Sequence, residues 1–323
     1  MPFVGSKARG RRVLVLGAGA SKPFGYPLGS ELLQRIRTNV PEEGTPLYIA
    51  LSDHGYSWPI IESFYKELSN AQVDSIDYFL DQTMQGDADF TRIGRMAIAN
   101  ELFKDEQKSS YRLVCRNWYW DLMQVIIESF QMKDGPTLAI VTFNYDRSLI
   151  EFLGSYRGPH VELPCSAATL TDAVPILHVH GCLGASELKV VAVEDRAYGA
   201  PITPKCIAEG ADRIRIMHEL DNDHGIAMVR AKKMIEAAER VVFVGFGYDK
   251  WNLERLNILQ GLIPTKWEGG PKYFGTAFGA DSASIVELRN MSSNCLELAP
   301  SFMDVCSFAR QGLREQLLGN LRG

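Results

Sequence analysis

The sequence predicts an α/β protein with a Rossmann-like, doubly wound parallel sheet, and three observations support this fold class. Short apolar runs rich in β-branched residues, such as residues 13–16 and 240–244, are typical of strands buried on both faces. Segments with a helical spacing of apolar residues separate these runs, which favours parallel strands joined by helical crossovers. The first run leads directly into the glycine-rich turn 17–21, as in the strand-to-helix turns of such sheets.

The same patterns place the individual elements. The predicted strands cover residues 13–16, 137–143, 174–179, 188–193, 240–244, 272–276 and 295–298. The predicted helices cover residues 31–37, 60–68, 75–80, 90–103, 111–130, 146–153, 207–239 with an interruption near 221–225, a segment from residue 252, 282–289 and 301–318. Residues 41–59 are bounded by prolines, so we expect irregular structure there.

Length, charge and composition limit the class of protein. The 323 residues suffice for one large domain, and we treat residues 1–323 as one, with a mostly helical insertion at about 41–134. The net charge of −5 gives no reason to expect nucleic acid or an anionic membrane as the main partner. No apolar run approaches the roughly 20 residues of a membrane span, and residues 1–12 lack the apolar core of a signal peptide. We therefore expect a cytoplasmic protein with no direct nucleic-acid or membrane partner.

The sequence lacks two familiar nucleotide-binding motifs, but its first glycine-rich turn still predicts a diphosphate site. The dinucleotide pattern G-x-G-x-x-G would need glycine where the chain has Lys22, and no P-loop motif occurs. The turn nevertheless follows a buried strand, and its glycines can leave backbone N–H groups uncovered, which favours a diphosphate cradle over an ordinary turn. The next segment, with Gly25, Pro27 and Gly29, cannot be regular helix and is predicted to be a structured loop over the first turn.

Polar or glycine-rich residues follow four of the predicted strands, at 17–21, 142–146, 178–181 and 245–249. Because ligands bind outside the carboxyl ends of parallel strands, we expect these clusters to line one site. In the second cluster, Thr142, Asn144 and Asp146 share one face of an extended backbone. Asn144 is a candidate for holding a sugar hydroxyl or a water, and Asp146 for bonding polar groups nearby. The alternatives are a turn-forming Asn and a helix-capping Asp.

The third cluster contains two histidines, His178 and His180, which point to the same side of their strand. Such a pair can bind a metal, but the spacing supplies no third ligand, and no cysteines form a C-x-x-C pair, so we expect no metal. Gly181 ends the strand and leaves room for a ligand beside His180. A neutral imidazole there can accept a proton from a hydroxyl or a water, with core packing as the alternative.

Taken in order, these motifs resemble the sirtuin-like superfamily. They are GAGAS with Gly25 and Pro27, then T-x-N-x-D, a strand that ends in His-Gly, and a strand that ends in G-F-G with Asp249 shortly after. Their order and strand placement match over nearly the whole chain, and the helical insertion lies where family members vary. The resemblance implies a Rossmann-type sheet that binds NAD⁺ in an inverted arrangement and breaks the bond between nicotinamide and ribose.

The resemblance also implies roles for individual residues. The catalytic residues would be Asn144 and His180, and the NAD⁺-binding residues Gly17, Ala18, Gly19, Ala20, Ser21, Pro27, Thr142, Asp146, Gly245, Phe246 and Asp249. The residues of the first turn would hold the diphosphate, those of the second cluster the nicotinamide end, and those of the fourth the adenosine half. His180 matches the general base of the family.

The chain departs from protein-deacylating sirtuins in two respects. It lacks the two C-x-x-C pairs of their zinc module, and residues 182–193 do not match the loop that pairs with an acylated peptide. Both departures bring the chain closer to the zinc-free, sirtuin-like NAD⁺ hydrolases of bacterial antiphage defence, which release nicotinamide and ADP-ribose. An enzyme that destroys an essential cofactor must be controlled, so we expect oligomerisation or a separate defence partner to regulate it. The alternatives are a non-catalytic subunit that binds NAD⁺ or ADP-ribose, and an NAD⁺-dependent protein deacylase.

Overall fold

A six-stranded, all-parallel sheet forms the centre of the protein. The computed structural model describes residues 11–83, 88–109, 117–130, 138–155, 174–184, 196–216, 225–248, 253–254, 256, 272–292 and 295–318. The strands of the sheet are β1 (Arg12–Leu16), β2 (Leu138–Thr142), β3 (Ile176–His178), β4 (Arg240–Val244), β5 (Lys272–Gly275) and β6 (Leu296–Leu298). With helices on both faces, this arrangement confirms the predicted fold class.

The strand order is β3-β2-β1-β4-β5-β6, which places the first strand at the centre. In register, Leu14 of β1 lies between Ile140 of β2 and Val242 of β4. The chain builds one half of the sheet outward from β1 and then returns to build the other half from β4. The switch point between the two halves therefore lies beside the carboxyl end of β1, where ligands bind in folds of this kind.

The described residues form α-helices of 4 to 21 residues. They are α1 (Ala18–Ser21), α2 (Gly29–Thr38), α3 (Pro46–Asp53), α4 (Trp58–Asn70), α5 (Ile76–Thr83), α6 (Ala88–Lys108), α7 (Trp118–Phe130), α8 (Ser148–Ser155), α9 (Pro204–Arg213), α10 (Ile226–Glu236), α11 (Ser282–Met291), α12 (Val305–Phe308) and α13 (Arg314–Leu318). A 3₁₀ turn (Lys22–Phe24) follows α1, and one π-helical turn (Ala309–Leu313) joins α12 to α13. Within the described ranges, no helix is both long and apolar enough to cross a membrane.

The two faces of the sheet pack into two separate hydrophobic cores. On β1, Leu14 and Leu16 point into the larger core, which the helices of the insertion and the C-terminal helices cover. Val13 and Val15 point into the smaller core, which α10 and α11 cover. Because both faces are buried, residues 13–16 of the strand are all apolar, and its one polar residue, Arg12, is the first.

The expectation of irregular structure over residues 41–59 was wrong, because α3 and the start of α4 lie within this range. Pro46 and Pro59 occupy the first turns of these two helices, where a residue without an N–H group loses no intrahelical bond. The side chain of Thr45 caps α3 by accepting a hydrogen bond from the Tyr48 N–H at 3.4 Å. The prolines therefore start the helices instead of interrupting them.

Other element boundaries also differ from the predictions. The predicted helical segment 207–239 is divided into two helices, as expected, but α9 begins earlier, at Pro204, and ends at Arg213. The predicted last helix begins at Val305 instead of residue 301, because Asp304 caps it by accepting from the Ser307 N–H at 2.7 Å. The predicted helix 146–153 begins at Ser148. Three predicted stretches lie outside the described residues. They are the strand 188–193, residues 111–116 of the helix 111–130, and residues 252, 255 and 257–271 of the segment that was predicted to be helical from residue 252.

Candidate functional site

Two cavities open at the carboxyl ends of the strands, on either side of the turn after β4. The inner cavity, of about 190 Å³, is bounded by residues that follow β1, β2, β3 and β4, among them Ser21, Asn144, His180 and Phe246. The outer groove, of about 660 Å³, is bounded by residues that follow β1, β4 and β5, among them Gly245 and Thr276. Phe246 and Gly247 line both spaces, so the two adjoin at this turn.

Glycines bring the turn after β1 into direct backbone contact with the turn after β4. The Gly17 N–H donates to the Val244 carbonyl at 3.1 Å, and the Gly19 N–H donates to the Gly245 carbonyl at 2.9 Å. A Cβ atom on Gly17 would lie 2.6 Å from the Gly245 oxygen, and one on Gly19 would lie 2.8 Å from the Gly245 Cα. No side chain fits at either position, so these glycines serve the close approach of two backbone segments.

The predicted diphosphate cradle needs backbone N–H groups of the first turn, and several of these are used within the protein. The Ala20 N–H donates to the Gly17 carbonyl at 2.9 Å, so the N–H groups of Gly17, Gly19 and Ala20 are all engaged within the protein. The helix that follows, α1, has only four residues. From this turn, Ala18 and Ser21 line the inner cavity beside Gly17. Diphosphate binding by the turn stays a prediction.

Two hydrogen bonds fix the orientation of the Asn144 carboxamide. Its Nδ2 donates to the Gly17 carbonyl at 2.9 Å and to Ser21 Oγ at 3.0 Å. A carbonyl oxygen only accepts, so the amide cannot turn over without losing this contact. Its Oδ1 is buried and has no hydrogen-bond partner among the described residues. Asn144 therefore lines the inner cavity and keeps a side-chain acceptor that no described residue uses.

Asp146 supports this arrangement from behind. Its Oδ2 accepts from Ser21 Oγ at 2.7 Å, and its Oδ1 accepts from the Ser148 N–H at 3.0 Å and from Ser148 Oγ at 2.5 Å. Because the Ser21 hydroxyl gives its proton to Asp146, it presents a lone pair to Asn144 Nδ2. Both interpretations of Asp146 thus have a structural counterpart, since it lines the inner cavity and also holds the start of α8.

His180 also lines the inner cavity, two residues beyond the end of β3. Its Nδ1 lies 3.2 Å from the Arg215 carbonyl oxygen. Since a carbonyl only accepts, Nδ1 carries the proton and the lone pair of the neutral ring is on Nε2. The ring packs edge-on against Phe143, with 5.6 Å between centroids. The His180 side chain is buried, with 6% of its surface exposed.

His178 does not line the inner cavity. Its Nδ1 lies 3.1 Å from the Asn144 carbonyl oxygen, and its ring also interacts with the Cys182 side chain. Burial lowers the pKa of His178, but the Cys182 side chain, the Asn144 carbonyl and the Asp146 carboxylate raise it more, so the net pKa lies above its usual value. The described residues contain no group of three or more His, Cys, Asp or Glu side chains arranged to hold a metal ion.

Comparison with known proteins gives no assignment. No protein-family model and no curated protein matches the chain. The roles of the site residues therefore rest on their geometry and on the sequence motifs.

The structure brings most of the predicted site residues together. Those that line the inner cavity are Gly17, Ala18, Ser21, Pro27, Asn144, Asp146, His180 and Phe246, and those that line the outer groove include Gly19, Gly245 and Phe246. Ala20 lines neither space, and its carbonyl accepts from Trp118 Nε1 at 2.8 Å. Thr142 also lines neither of them and lies behind Asn144. Asp249 lies outside the described residues.

Several lining residues were missed by the sequence analysis. Tyr26, Asp77 and Tyr145 line the inner cavity, and the Tyr145 hydroxyl donates to Asp77 Oδ1. Thr276 follows β5 and accepts from the Gly245 N–H at 2.8 Å, which fixes the turn between the two spaces. The rule about strand ends applies to β5 as well and would have found Thr276. No pattern in the sequence distinguishes Asp77, because it lies on α5, far from any strand end.

Proposed function

We propose that the protein is an NAD⁺ glycohydrolase, which cleaves the bond between nicotinamide and ribose to give nicotinamide and ADP-ribose. The observation that carries the proposal is the meeting of Asn144 and His180 at one small cavity beside the switch point of the sheet. The resemblance to sirtuin-like NAD⁺ hydrolases assigns catalytic roles to the same two residues. An oriented amide and an imidazole that line the same cavity are suited to handling a sugar and a water.

The two adjoining spaces suit a dinucleotide. The inner cavity of about 190 Å³ accommodates the nicotinamide and its ribose, and the outer groove of about 660 Å³ accommodates the adenosine half. The diphosphate then passes the turn formed by Phe246 and Gly247, next to the Ala18 and Ser21 side of the first turn. In this arrangement the bond to be broken lies in the inner cavity, among the residues able to act on it.

The chemistry requires little acid catalysis. Nicotinamide is cationic in NAD⁺ and leaves as a neutral molecule, while positive charge develops on the ribose carbon. Asn144 Oδ1 accepts a hydrogen bond from a ribose hydroxyl or from the attacking water, and its fixed orientation lowers the entropy cost of that contact. His180 Nε2 takes the proton that the water loses as it bonds to the ribose carbon. Nicotinamide, ADP-ribose and one proton are the products.

The resemblance also supports a role in antiphage defence, in which hydrolysis of NAD⁺ starves an infected cell. Such an activity must remain silent until infection. We propose that oligomerisation or a separate partner protein provides this control. A cytoplasmic location follows from the substrate.

The proposal is tested by measuring NAD⁺ and nicotinamide after incubation with the purified protein, alone and with the products of neighbouring genes. We expect cleavage in at least one mixture. His180→Ala should lower kcat by about 10²–10⁴-fold, the usual contribution of a general base. Asn144→Ala should lower kcat by a similar factor, because the ribose or water loses its positioned acceptor.

The matched control is His54→Ala. His54 is an exposed histidine directly after α3 and outside both spaces, so its replacement should leave the rate unchanged. Full hydrolysis by Asn144→Ala would refute the mechanism. If NAD⁺ binds but stays intact in every mixture, the non-catalytic binding subunit becomes the better account.

A further inference from the structure

The inner cavity has an excess of negative charge, which the proposed mechanism does not use. Two of the described residues that line it are acidic, Asp77 and Asp146, and none is a lysine or an arginine. His180 is uncharged when it acts as a base, so it does not offset the two carboxylates. Asn144, which also lines the cavity, adds an acceptor oxygen that no described residue uses. The lining therefore favours a ligand with positive charge.

Neutral groups hold both carboxylates. The Tyr145 hydroxyl donates to Asp77 Oδ1. The described donors to Asp146 are Ser21 and Ser148. Hydroxyl and backbone N–H donors orient a carboxylate without cancelling its charge, so both charges act on whatever occupies the cavity.

Aromatic rings form much of the remaining wall. They belong to Tyr26, Phe143, Tyr145 and Phe246. Phe143 packs edge-on against Phe246, with 5.1 Å between centroids. The face of an aromatic ring attracts a cation, and cages of such rings bind organic cations. A metal ion of the Ca²⁺ or Mg²⁺ type would instead need about six oxygen ligands, so rings and two carboxylates favour an organic cation.

We propose that the inner cavity selects a flat organic cation, a pyridinium, and that the selection depends on Asp77. Asp146 is already used to hold Ser21 and the start of α8, whereas Asp77 accepts one described hydrogen bond. Asp77 lies on α5, so a helix of the insertion supplies this charge. The extension to NAD⁺ rests on the proposed function: the cavity then holds the cationic nicotinamide ring of NAD⁺ and binds the neutral ring of NADH more weakly.

The selection is tested by titration calorimetry of the full chain with two probes of nearly the same shape. They are 1-methylnicotinamide, which is a cation, and 3-methylbenzamide, which is neutral. We expect the wild type to bind the cation at least about tenfold more tightly. Asp77→Asn should reduce this ratio by about threefold or more, because it removes the charge and keeps an acceptor for Tyr145. Equal affinities in the wild type, no binding of either probe, or an unchanged ratio in Asp77→Asn would overturn the proposal.

Two matched variants separate the charge of Asp77 from its structural contact. Asp74→Asn removes the same charge from an exposed residue just before α5 that lines neither space, and it should leave the ratio unchanged. Tyr145→Phe removes the hydrogen bond to Asp77 and leaves the charge and the ring, so it should keep the preference for the cation. Loss of the preference in Tyr145→Phe would show that Asp77 acts only by holding its neighbour.

A kinetic experiment extends the test to NAD⁺. Positive charge is present in the inner cavity before and during cleavage, so Asp77 stabilises the bound substrate and the transition state alike. Asp77→Asn should therefore raise the KM for NAD⁺ about tenfold and keep kcat within about threefold. A lower kcat with an unchanged KM would contradict this role. A preference for the cationic probe in a protein that does not cleave NAD⁺ would refute the proposed function and leave the cation site intact.

Discussion

Replacing Glu106 by Gln should lower the free energy of unfolding by about 3–5 kcal/mol, the usual cost of breaking a buried ion pair from one side. The Glu106 side chain is fully buried. Its Oε1 accepts from Arg147 Nε at 2.7 Å, and its Oε2 accepts from Arg147 Nη2 at 3.0 Å and from Arg196 Nη1 at 2.5 Å. Gln offers one acceptor oxygen in place of two and turns an N–H₂ group toward an arginine. Two nearly buried guanidinium groups would then lack their counter-charge.

The measurement is urea unfolding of the wild type and the variant. Their free energies of unfolding are compared if both depend on the urea concentration with the same slope. The matched control is Glu128→Gln, which removes the same charge from a pair with Arg314 at 2.7 Å. That pair is solvent-exposed, so its loss should cost less than about 1 kcal/mol. Equal effects of the two substitutions would show that burial of the Glu106 pair adds nothing to stability.

The position of Glu106 also links the insertion to the site. It lies on α6, and Arg147 stands between Asp146 and the first residue of α8. The carboxylate thus ties a helix of the insertion to the segment that supports Asn144. We expect Glu106→Gln to disturb the position of Asn144 together with the fold.

The sheet was predictable because its strands are buried on both faces. Continuous apolar runs at β1, β2 and β4 have no other common explanation in a chain of this length, and the order of strands and helices then fixes a parallel sheet. From the rule that ligands bind at strand ends, we predicted that Asn144, His180 and Phe246 lie close together. In the structure these three residues line one cavity.

The contacts that orient these residues were not predictable from local patterns. Ser21 and Asn144 are 123 positions apart, and only the pairing of β1 with β2 brings them into contact. Glu106 and Arg196 are 90 positions apart, and a charged residue on a helix is ordinarily assigned to the solvent side. The boundary errors have a local cause instead, since proline marks the start of a helix as often as its interruption.

Replacing Gly245 by Ala should destabilise the protein by on the order of 4 kcal/mol, through two effects that no rearrangement of side chains relieves. Gly245 has a φ of 60°, a conformation in which a side chain is strained. A Cβ atom there would also lie 2.0 Å from the Ala20 backbone nitrogen. The obstacle is backbone on both sides, so the turns after β1 and β4 would have to separate. The same separation would open the boundary between the inner cavity and the outer groove.

Gly247→Ala is the matched control for this effect. Gly247 lies two residues further along the same turn, has no positive φ, and a Cβ atom on it would meet nothing within 4 Å. Its substitution should change the free energy of unfolding by less than about 1 kcal/mol, since it only restricts the unfolded chain. Urea unfolding of both variants makes the comparison. If Gly245→Ala were as stable as Gly247→Ala, the close approach of the two turns would not be a requirement of the fold, and the division of the site into two spaces would lose its structural basis.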